Sequence, residues 1–440
     1  VPAAKLRELA IQFMKHSPGL ALAGGTVLKT TKQTSAFEAV YILNAVAGNV
    51  GRTVLFHEQP LPEDTSHKNL VKLIEDLNAG KIKLLIVDDS DPLYGLPESM
   101  GLETAMKQSF VVSLASMKSA TASGANLVLP ALTDYESWGD AFPRSGIRSI
   151  RQPVMAPVSL FEARGREEVM IQSARLVNPE AFQGTEDYRE FLRREWRKIQ
   201  KESGDRSHFE NFWIGLLEKG GLFSSPKQLD VELGSEVKKL SFAAPKFRGS
   251  GLVLLPSTSL LHGDGRGARN PWLQEVPNPV SQIVWDSWLE INPDTAKKLG
   301  IKDRSVVQIK TANGNLKATA VYYFGIHRDA VSIPIGQGHE DSGDVADGFG
   351  VNVMRLLPGM FDETGSLAFV STRTEIDALD DLSYTVNLDG NPRQLGRDIA
   401  AATTLNELQH GGDHHEGHHR PHHEVEFYPE RSETAGYYKP

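Results

Sequence analysis

Between residues 20 and 130, short apolar runs alternate with segments of helical period, and that alternation narrows the fold more than any other feature. Leu6, Leu9, Ala10, Phe13 and Met14 repeat at helical spacing, and Ser17-Pro18-Gly19 ends the helix. Residues 20–23 read as a strand before Gly24-Gly25-Thr26; a second helix runs through Phe37, Val40, Tyr41 and Asn44; residues 53–56 read as a strand. Helix 70–77, strand 83–87, helix 102–108 and strand 110–114 follow, and the run 125–129, closed by Pro130, is a further buried strand. Strands separated by helices imply right-handed crossovers and a parallel sheet covered on both faces. Ligands of such sheets sit beyond the carboxyl ends of the strands. The loops to inspect are therefore Gly24-Gly25-Thr26, Asp88-Asp89-Ser90-Asp91-Pro92 and 116–123. Gly24 and Gly25 suit either a phosphate site or a plain tight turn.

Residues 184–221 turn helical and heavily charged. Tyr188, Leu192, Trp196 and Ile199 form an apolar stripe, with Arg189, Arg193, Arg194, Arg197 and Lys198 mostly on other faces, either solvated or docked on another subunit. A second helix carries Phe209, Phe212, Trp213, Leu216 and Leu217. The Ser-, Lys-, Pro- and Gly-rich stretch 224–251, with one strand-like patch at 239–243, is the boundary between two domains. Beyond it, strand 251–256 leads to LLHGDGRGARNP, where His262, Asp264, Arg266 and Arg269 offer a metal or phosphate site, or simply a turn. Asn292 caps a helix begun by Pro293 and ended at Gly300. Strands 306–311 and 316–322 flank Asn313-Gly314 as a hairpin, and 330–335 adds another strand.

Composition removes several functions. A net charge of −9 disfavours nucleic acid, which needs a basic face. No apolar run approaches the ~20 residues of a membrane helix. With no cysteine, the 440 residues carry no disulfide, no iron–sulfur cluster and no thiolate metal ligand. Val1-Pro2 runs straight into a helix with no secretory pattern, as expected of a processed chain or a segment of a longer polypeptide.

Two stretches carry a resemblance. Residues 121–154 place a short strand ending in Leu129-Pro130 before an acidic-aromatic patch, a Gly-Arg turn and Gln152-Pro153. Residues 292–314 follow N-P-x-T-A-x-x-L-G-I-x-x-x-x-x-V-x-I-x-T-x-x-G. Together they resemble the molybdopterin oxidoreductase superfamily, the second matching the dinucleotide-binding β-barrel that closes those enzymes. Gly336-Gln337-Gly338-His339 and Gly350-Val351-Asn352-Val353 fit the barrel loops turned toward the cofactor. The run GRGARNPWLQEVPNPVSQIVWDSWLEINP, with GNVGRTV and DYESWGDA, is similar to the molybdopterin-like portion of the large B subunit of alternative complex III, a quinol-oxidising electron-transfer complex.

The resemblance implies a doubly wound, mostly parallel α/β domain over 1–245 with a helical insert at about 184–221. A double-psi-type β-barrel over 250–380 and an extended tail over 384–440 complete it. It also implies a pocket of vestigial residues: Gly24, Gly25, Asp88, Asp91, Gly338 and Asn352. Where the enzymes carry a Gly-Gly-Asn-Pro-like turn, this chain has Asp88, Asp89 and Asp91 before Pro92, and carboxylates repel a pyrophosphate. The loop after strand 110–114 lacks the enzymes' Thr-Glu-Thr-like element. The expectation is therefore a scaffold with no catalytic residue and no cofactor of its own. Its partners would be a ferredoxin-like iron–sulfur domain, integral membrane quinol-binding subunits and c-type haem subunits, on the periplasmic or outer face of a bacterial membrane. The alternative is the C-terminal part of a working molybdenum or tungsten enzyme whose metal ligand lies elsewhere.

Seven of the 14 histidines fall between His410 and His423. Gly411, Gly412, Gly417 and Pro421 oppose a helix there. A polar linker is expected, with metal binding by His414, His415, His418 and His419 as the alternative.

Overall fold

The computed structural model describes residues 2–58, 67–235, 237, 242–341, 343, 345–382 and 385–386. The tail histidines His414, His415, His418 and His419 lie outside the described residues, as does most of the patch at 239–243.

Helices α1 (Ala3–Lys15) and α2 (Gln33–Val46) form where the apolar spacing places them. The expected strand at 20–23 does not form. Its backbone is satisfied by side chains instead: Asn44 accepts from Ala21 N at 2.9 Å and donates to Ala21 O at 2.8 Å, while Asn49 Oδ1 accepts from Gly19 N at 3.1 Å. The expected strand at 53–56 shrinks to β1 (Phe56–His57), which pairs antiparallel with β8 (Gln228–Leu229). Helix α3 (His67–Asn78) then leads to a three-stranded parallel sheet of β2 (Leu84–Asp88), β3 (Phe110–Ala115) and β4 (Leu127–Pro130). Its connections carry the short helices α4 (Pro92–Gly95), α5 (Leu102–Met106) and α6 (Ala120–Ser123). Val87 and Val111 pack on Ile74, Leu77, Ala105 and Met106 of α3 and α5. Contrary to expectation the opposite face of this sheet is covered only toward its carboxyl end, where Leu114 is buried; among the described residues Leu84, Ile86, Phe110 and Leu127 are all exposed.

A second layer joins the antiparallel strands β5 (Gly139–Arg144), β6 (Ile147–Arg151) and β7 (Gly221–Phe223) to α7 (Arg166–Val177), α8 (Tyr188–Glu202) and α9 (Phe209–Lys219). Their core is Ile150, Leu192, Trp196, Phe212, Trp213 and Leu216. Helical structure thus begins at Arg166, ahead of the expected insert. Only Ile171 of α7 is buried, so that helix has little amphipathic signature to read. Arg193 is not on a solvated face. It is buried, paired with Glu210, and lies 5.2 Å and 5.3 Å from the ring centres of Phe209 and Trp213.

The remaining strands close a six-stranded barrel: β9 (Leu252–Thr258), β10 (Trp288–Ile291), β11 (Ser305–Lys310), β12 (Asn315–Tyr322), β13 (Ala330–Ile335) and β14 (Arg373–Leu382), in the order β10-β12-β11-β14-β9-β13. The β10–β12 and β13–β9 pairs are parallel and the rest antiparallel. Two helices lie on this half. Asn270 caps α10 (Pro271–Glu275), and Asn292 caps α11 (Pro293–Lys298) by accepting from Asp294 N at 3.0 Å. The hairpin at Asn313-Gly314 forms as expected, with Lys310 opposite Asn315 and 311–314 as its loop. Leu254, Leu289, Ile309 and Ile333 fill the barrel at zero exposure.

Ile333→Ala is expected to destabilise the barrel by about 2–5 kcal/mol through lost burial and an unrelaxed cavity. Urea unfolding followed by tryptophan fluorescence measures it. Asp140→Asn tests a different balance. Burial holds the Asp140 carboxyl above its usual range although Trp196 Nε1 donates to it at 3.2 Å. The neutral amide oxygen keeps that acceptor, so Asp140→Asn is expected to match or slightly exceed the parent in stability at pH 7 in the same assay.

Candidate functional site

The sheet and the barrel meet where the β2–α4 loop faces the glycine-rich loop after β9. Asp91 precedes α4 and is nearly buried. Its Oδ1 accepts from Thr121 N at 3.0 Å and Thr121 Oγ1 at 2.7 Å, and its Oδ2 pairs with Arg269 of the opposite half. The side chains of Asp91 and Arg269 are 7% and 11% exposed, so each is the other's neutralising charge in a dry place.

One turn on, the Tyr94 ring stacks on His339 at 3.8 Å between centres with 9° between planes. Its hydroxyl donates to Gln337 O at 3.1 Å, and its own carbonyl accepts from Asn352 Nδ2 at 3.0 Å. Asn352 Oδ1 is taken by Met354 N at 3.0 Å. His339 Nε2 lies 2.9 Å from Gly265 O, a contact that requires the proton on Nε2; its buried Nδ1 has no hydrogen-bond partner. Burial, followed by the neighbouring Arg269 charge, holds the imidazole pKa below its ordinary value. Gln274 and Gln337, both buried, exchange reciprocal amide hydrogen bonds of 3.1 and 2.7 Å beside it.

Two glycines permit this contact. A Cβ on Gly265 (φ +110) would lie 2.3 Å from Tyr94 Cε1, and one on Gly338 (φ +78) would lie 2.0 Å from Asn352 N.

Of the residues singled out from sequence, Asp91, Gly338 and Asn352 converge here. Asp88 does not. It lies 3.7 Å from Arg166, whose guanidinium also reaches Asp89 at 3.3 Å and Asp134 at 3.6 Å. Asp89 also accepts from Ser116 N and Oγ at 2.9 and 2.8 Å. The aspartates are thus paired within the chain rather than left facing one another. Gly24 and Gly25 have positive φ before a 3-10 turn at Thr26–Leu28 and line neither cavity described next. The residues of the LLHGDGRGARNP loop separate: Arg269 goes to Asp91, Asp264 pairs with Arg266 at 3.0 Å in solvent, and His262 is buried. Burial also lowers the His262 pKa. Among the described residues no cluster of three or more His, Asp or Glu side chains could hold a metal ion. Tyr94 was not singled out from sequence, nor was the pairing of Asp91 with Arg269.

Two cavities border the contact. One of about 430 Å³ lies over the Asp91–Arg269 pair and the Tyr94–His339 stack, with Lys29, Arg266 and Phe369 on its walls. The other, about 830 Å³, lies at the carboxyl ends of β3 and β4 and is walled mostly by Met117, Ala122, Val128, Val158 and Phe161. Among the described residues, Lys118 and Arg269 are the only cations that line it. Its Glu136 carboxylate is engaged by Thr133 and by Val158 N and held below the usual carboxylate range by those bonds.

A closed six-stranded barrel is seated on the carboxyl-end loops of a parallel sheet, an arrangement that fits the molybdopterin oxidoreductase fold. Residues 268–368 match the molydopterin dinucleotide binding domain. The chain is 24% identical over 292 residues to the menaquinone reductase, molybdopterin-binding-like subunit, of Nitratidesulfovibrio vulgaris, covering 65% of this chain and 40% of that protein. It is 32% identical over 127 residues to the arsenate respiratory reductase molybdopterin-containing subunit of Chrysiogenes arsenatis, covering 26% of this chain and 15% of that one. Acetylene hydratase from Pelobacter acetylenicus shares the fold at a TM-score of 0.61 and 15% identity, over 86% of this chain and 63% of that one. The chain thus spans less than half the length of either curated relative. Residues 268–368 thus carry the likeness to the molydopterin dinucleotide binding domain, and the chain more widely is similar to the menaquinone reductase subunit.

Removing one partner of the buried pair leaves the other charge unpaired. Asp91→Ala and Arg269→Ala are each expected to destabilise by about 3–5 kcal/mol, and the double variant by less than their sum. Thermal and urea unfolding of the four proteins measures this cycle. For His339 the folded pKa is depressed, so its contribution is complete above the unfolded value of about 6.5 and is lost as pH falls from there toward the folded value. His339→Phe is expected to flatten the decline in stability between about pH 6.5 and 5, leaving the share due to His262. Unfolding midpoints across that range check it.

Proposed function

We propose that this chain is a scaffold without catalysis of its own, serving a membrane-associated quinol-oxidising electron-transfer complex of the alternative complex III kind. One observation carries the reading. Where the resemblance places a pterin dinucleotide, the polar groups between the halves are engaged in contacts internal to the chain, beneath a cavity of about 430 Å³. A pyrophosphate needs several free donors. Here Arg269 is spent on Asp91, Asn352 on Tyr94, Thr121 on Asp91, and the Tyr94–His339 stack occupies the space between the halves. The larger cavity is too apolar to replace those donors. These residues do not fit the dinucleotide, and no reaction step is assigned to it.

The quinone link is supported by the name of the menaquinone reductase relative, itself described as molybdopterin-binding-like. Electrons would then pass through iron–sulfur clusters and c-type haems held by a ferredoxin-like domain and by neighbouring subunits, since no cysteine is available here. Among the described residues no helix is long and apolar enough to cross a membrane, so attachment would run through integral quinol-binding subunits on the periplasmic or outer face. The barrel is of the double-psi type in this reading, consistent with its two parallel pairs. The four tail histidines would lie in a polar linker. The second reading, part of a molybdenum or tungsten enzyme, draws on the arsenate reductase relative and on the roomy cavity beyond β3 and β4.

Elemental analysis of the purified native protein, with assay of guanine nucleotide released on denaturation, separates the two. The scaffold requires molybdenum, tungsten and guanine each far below one per chain. A stoichiometric metal with matching guanine overturns it.

A further inference from the structure

The uncovered face of the β2–β3–β4 sheet is built for contact. In parallel register, residues directly opposite share a face: Leu84 lies opposite Phe110, Ile86 opposite Val112, and Val112 opposite Leu127. Leu84, Ile86, Phe110 and Leu127 are 54%, 42%, 50% and 43% exposed, while Val87 and Val111 on the other face are sealed by α3 and α5. Parallel sheets are stable with helices on both faces, and a contiguous strip of Leu, Ile and Phe across three strands marks a contact surface. An isolated bridge between Ala131 and Arg164 lies just past the carboxyl end of β4, and β2 has no strand or bridge on its outer edge among the described residues.

We infer that this face is covered by a further segment of the same polypeptide, outside residues 1–440, that adds a parallel strand beyond β2 and lays its crossover helices over Leu84, Ile86, Phe110 and Leu127. Two observations choose this occupant over a separate subunit or a second copy. The crossovers from β2 to β4 put their helices on the covered face; because crossovers are right-handed, strands progressing outward past β2 carry theirs on the bare one. Such helices belong to the sheet's own chain. In the menaquinone reductase relative, moreover, the aligned region is 40% of a single subunit, leaving more than half of that polypeptide for the missing layer. The inference holds whichever electron chemistry the assembly performs.

The test uses the full-length protein in its native complex. Hydroxyl-radical footprinting of the unmodified protein is expected to find Leu84 and Phe110 protected to the level of Val87, while Phe324, 84% exposed on the barrel, is oxidised. Replacing Phe110 by the photo-crosslinker benzoylphenylalanine is then expected to join it to a peptide of the same polypeptide outside 1–440. Ile86→Cys and Leu127→Cys, clean reporters in a region with no cysteine, are expected to react with maleimide on the order of 100-fold more slowly than Phe324→Cys. Oxidation of Leu84 and Phe110 as fast as Phe324, or a cross-link to another subunit or a second copy, overturns the inference. None of these readouts depends on turnover or on bound metal, so they stand apart from the test of the scaffold reading.

Discussion

Everything at the junction of the two halves turns on one buried ion pair. Asp91 sits at the end of a strand-to-helix loop whose conformation it also sets through Thr121, and Arg269 comes from a loop 178 positions away. Two charges out of water are favourable together only when each is well matched, which constrains the relative placement of the loops. The Tyr94–His339 stack and the Asn352 amide then fall into register as consequences of that placement. Glycines at 265 and 338 are the concession the backbone makes, since no side chain fits where the halves touch.

Under the scaffold reading, this junction is a physical account of how a cofactor fold persists without its cofactor. A groove evolved around a polyanion presents donors and positive charge, and without the anion those groups repel and stay poorly hydrated. Supplying a carboxylate from the protein itself neutralises the arginine, and an aromatic stack fills volume that a planar ring system would occupy. Under that reading Asp91, alone of the aspartates in its turn, stands at Arg269 in place of the ligand's charge.

Much of the barrel is legible from residues alone. Ser305–Lys310 alternates buried and partly exposed positions, Asn292 and Pro293 announce their helix, and the motif over 292–314 carries the resemblance. The α/β half is less so. Residues 20–23 have the composition of a strand, yet Asn44, a helix residue more than 20 positions on, supplies the hydrogen bonds a neighbouring strand would have made. Helix α7 lacks the amphipathic period because only Ile171 is buried. At the site, Asp91, Arg269, Gly338, His339 and Asn352 all stood out in the sequence, but which of them meet did not. Which arginine neutralises Asp91 is a tertiary fact, and a tyrosine two residues past a proline reads as ordinary core until its ring is seen against His339.

The barrel's strand order has a consequence for how the chain is made. The first barrel strand, β9, is bracketed by β13 and by β14, the last strand, and it has no sequence neighbour as a partner. On a ribosome adding about 5–20 residues per second, Leu252–Thr258 must wait on the order of ten seconds before Arg373–Leu382 has been synthesised to close the ring. A strand carrying Val253, Leu254 and Leu255 offers two unpaired edges until Ala330–Ile335 follows and one until Arg373–Leu382 does. Native assembly of this half is a race between translation and misplaced strand pairing, and a polypeptide cut short before β14 would lose that race every time.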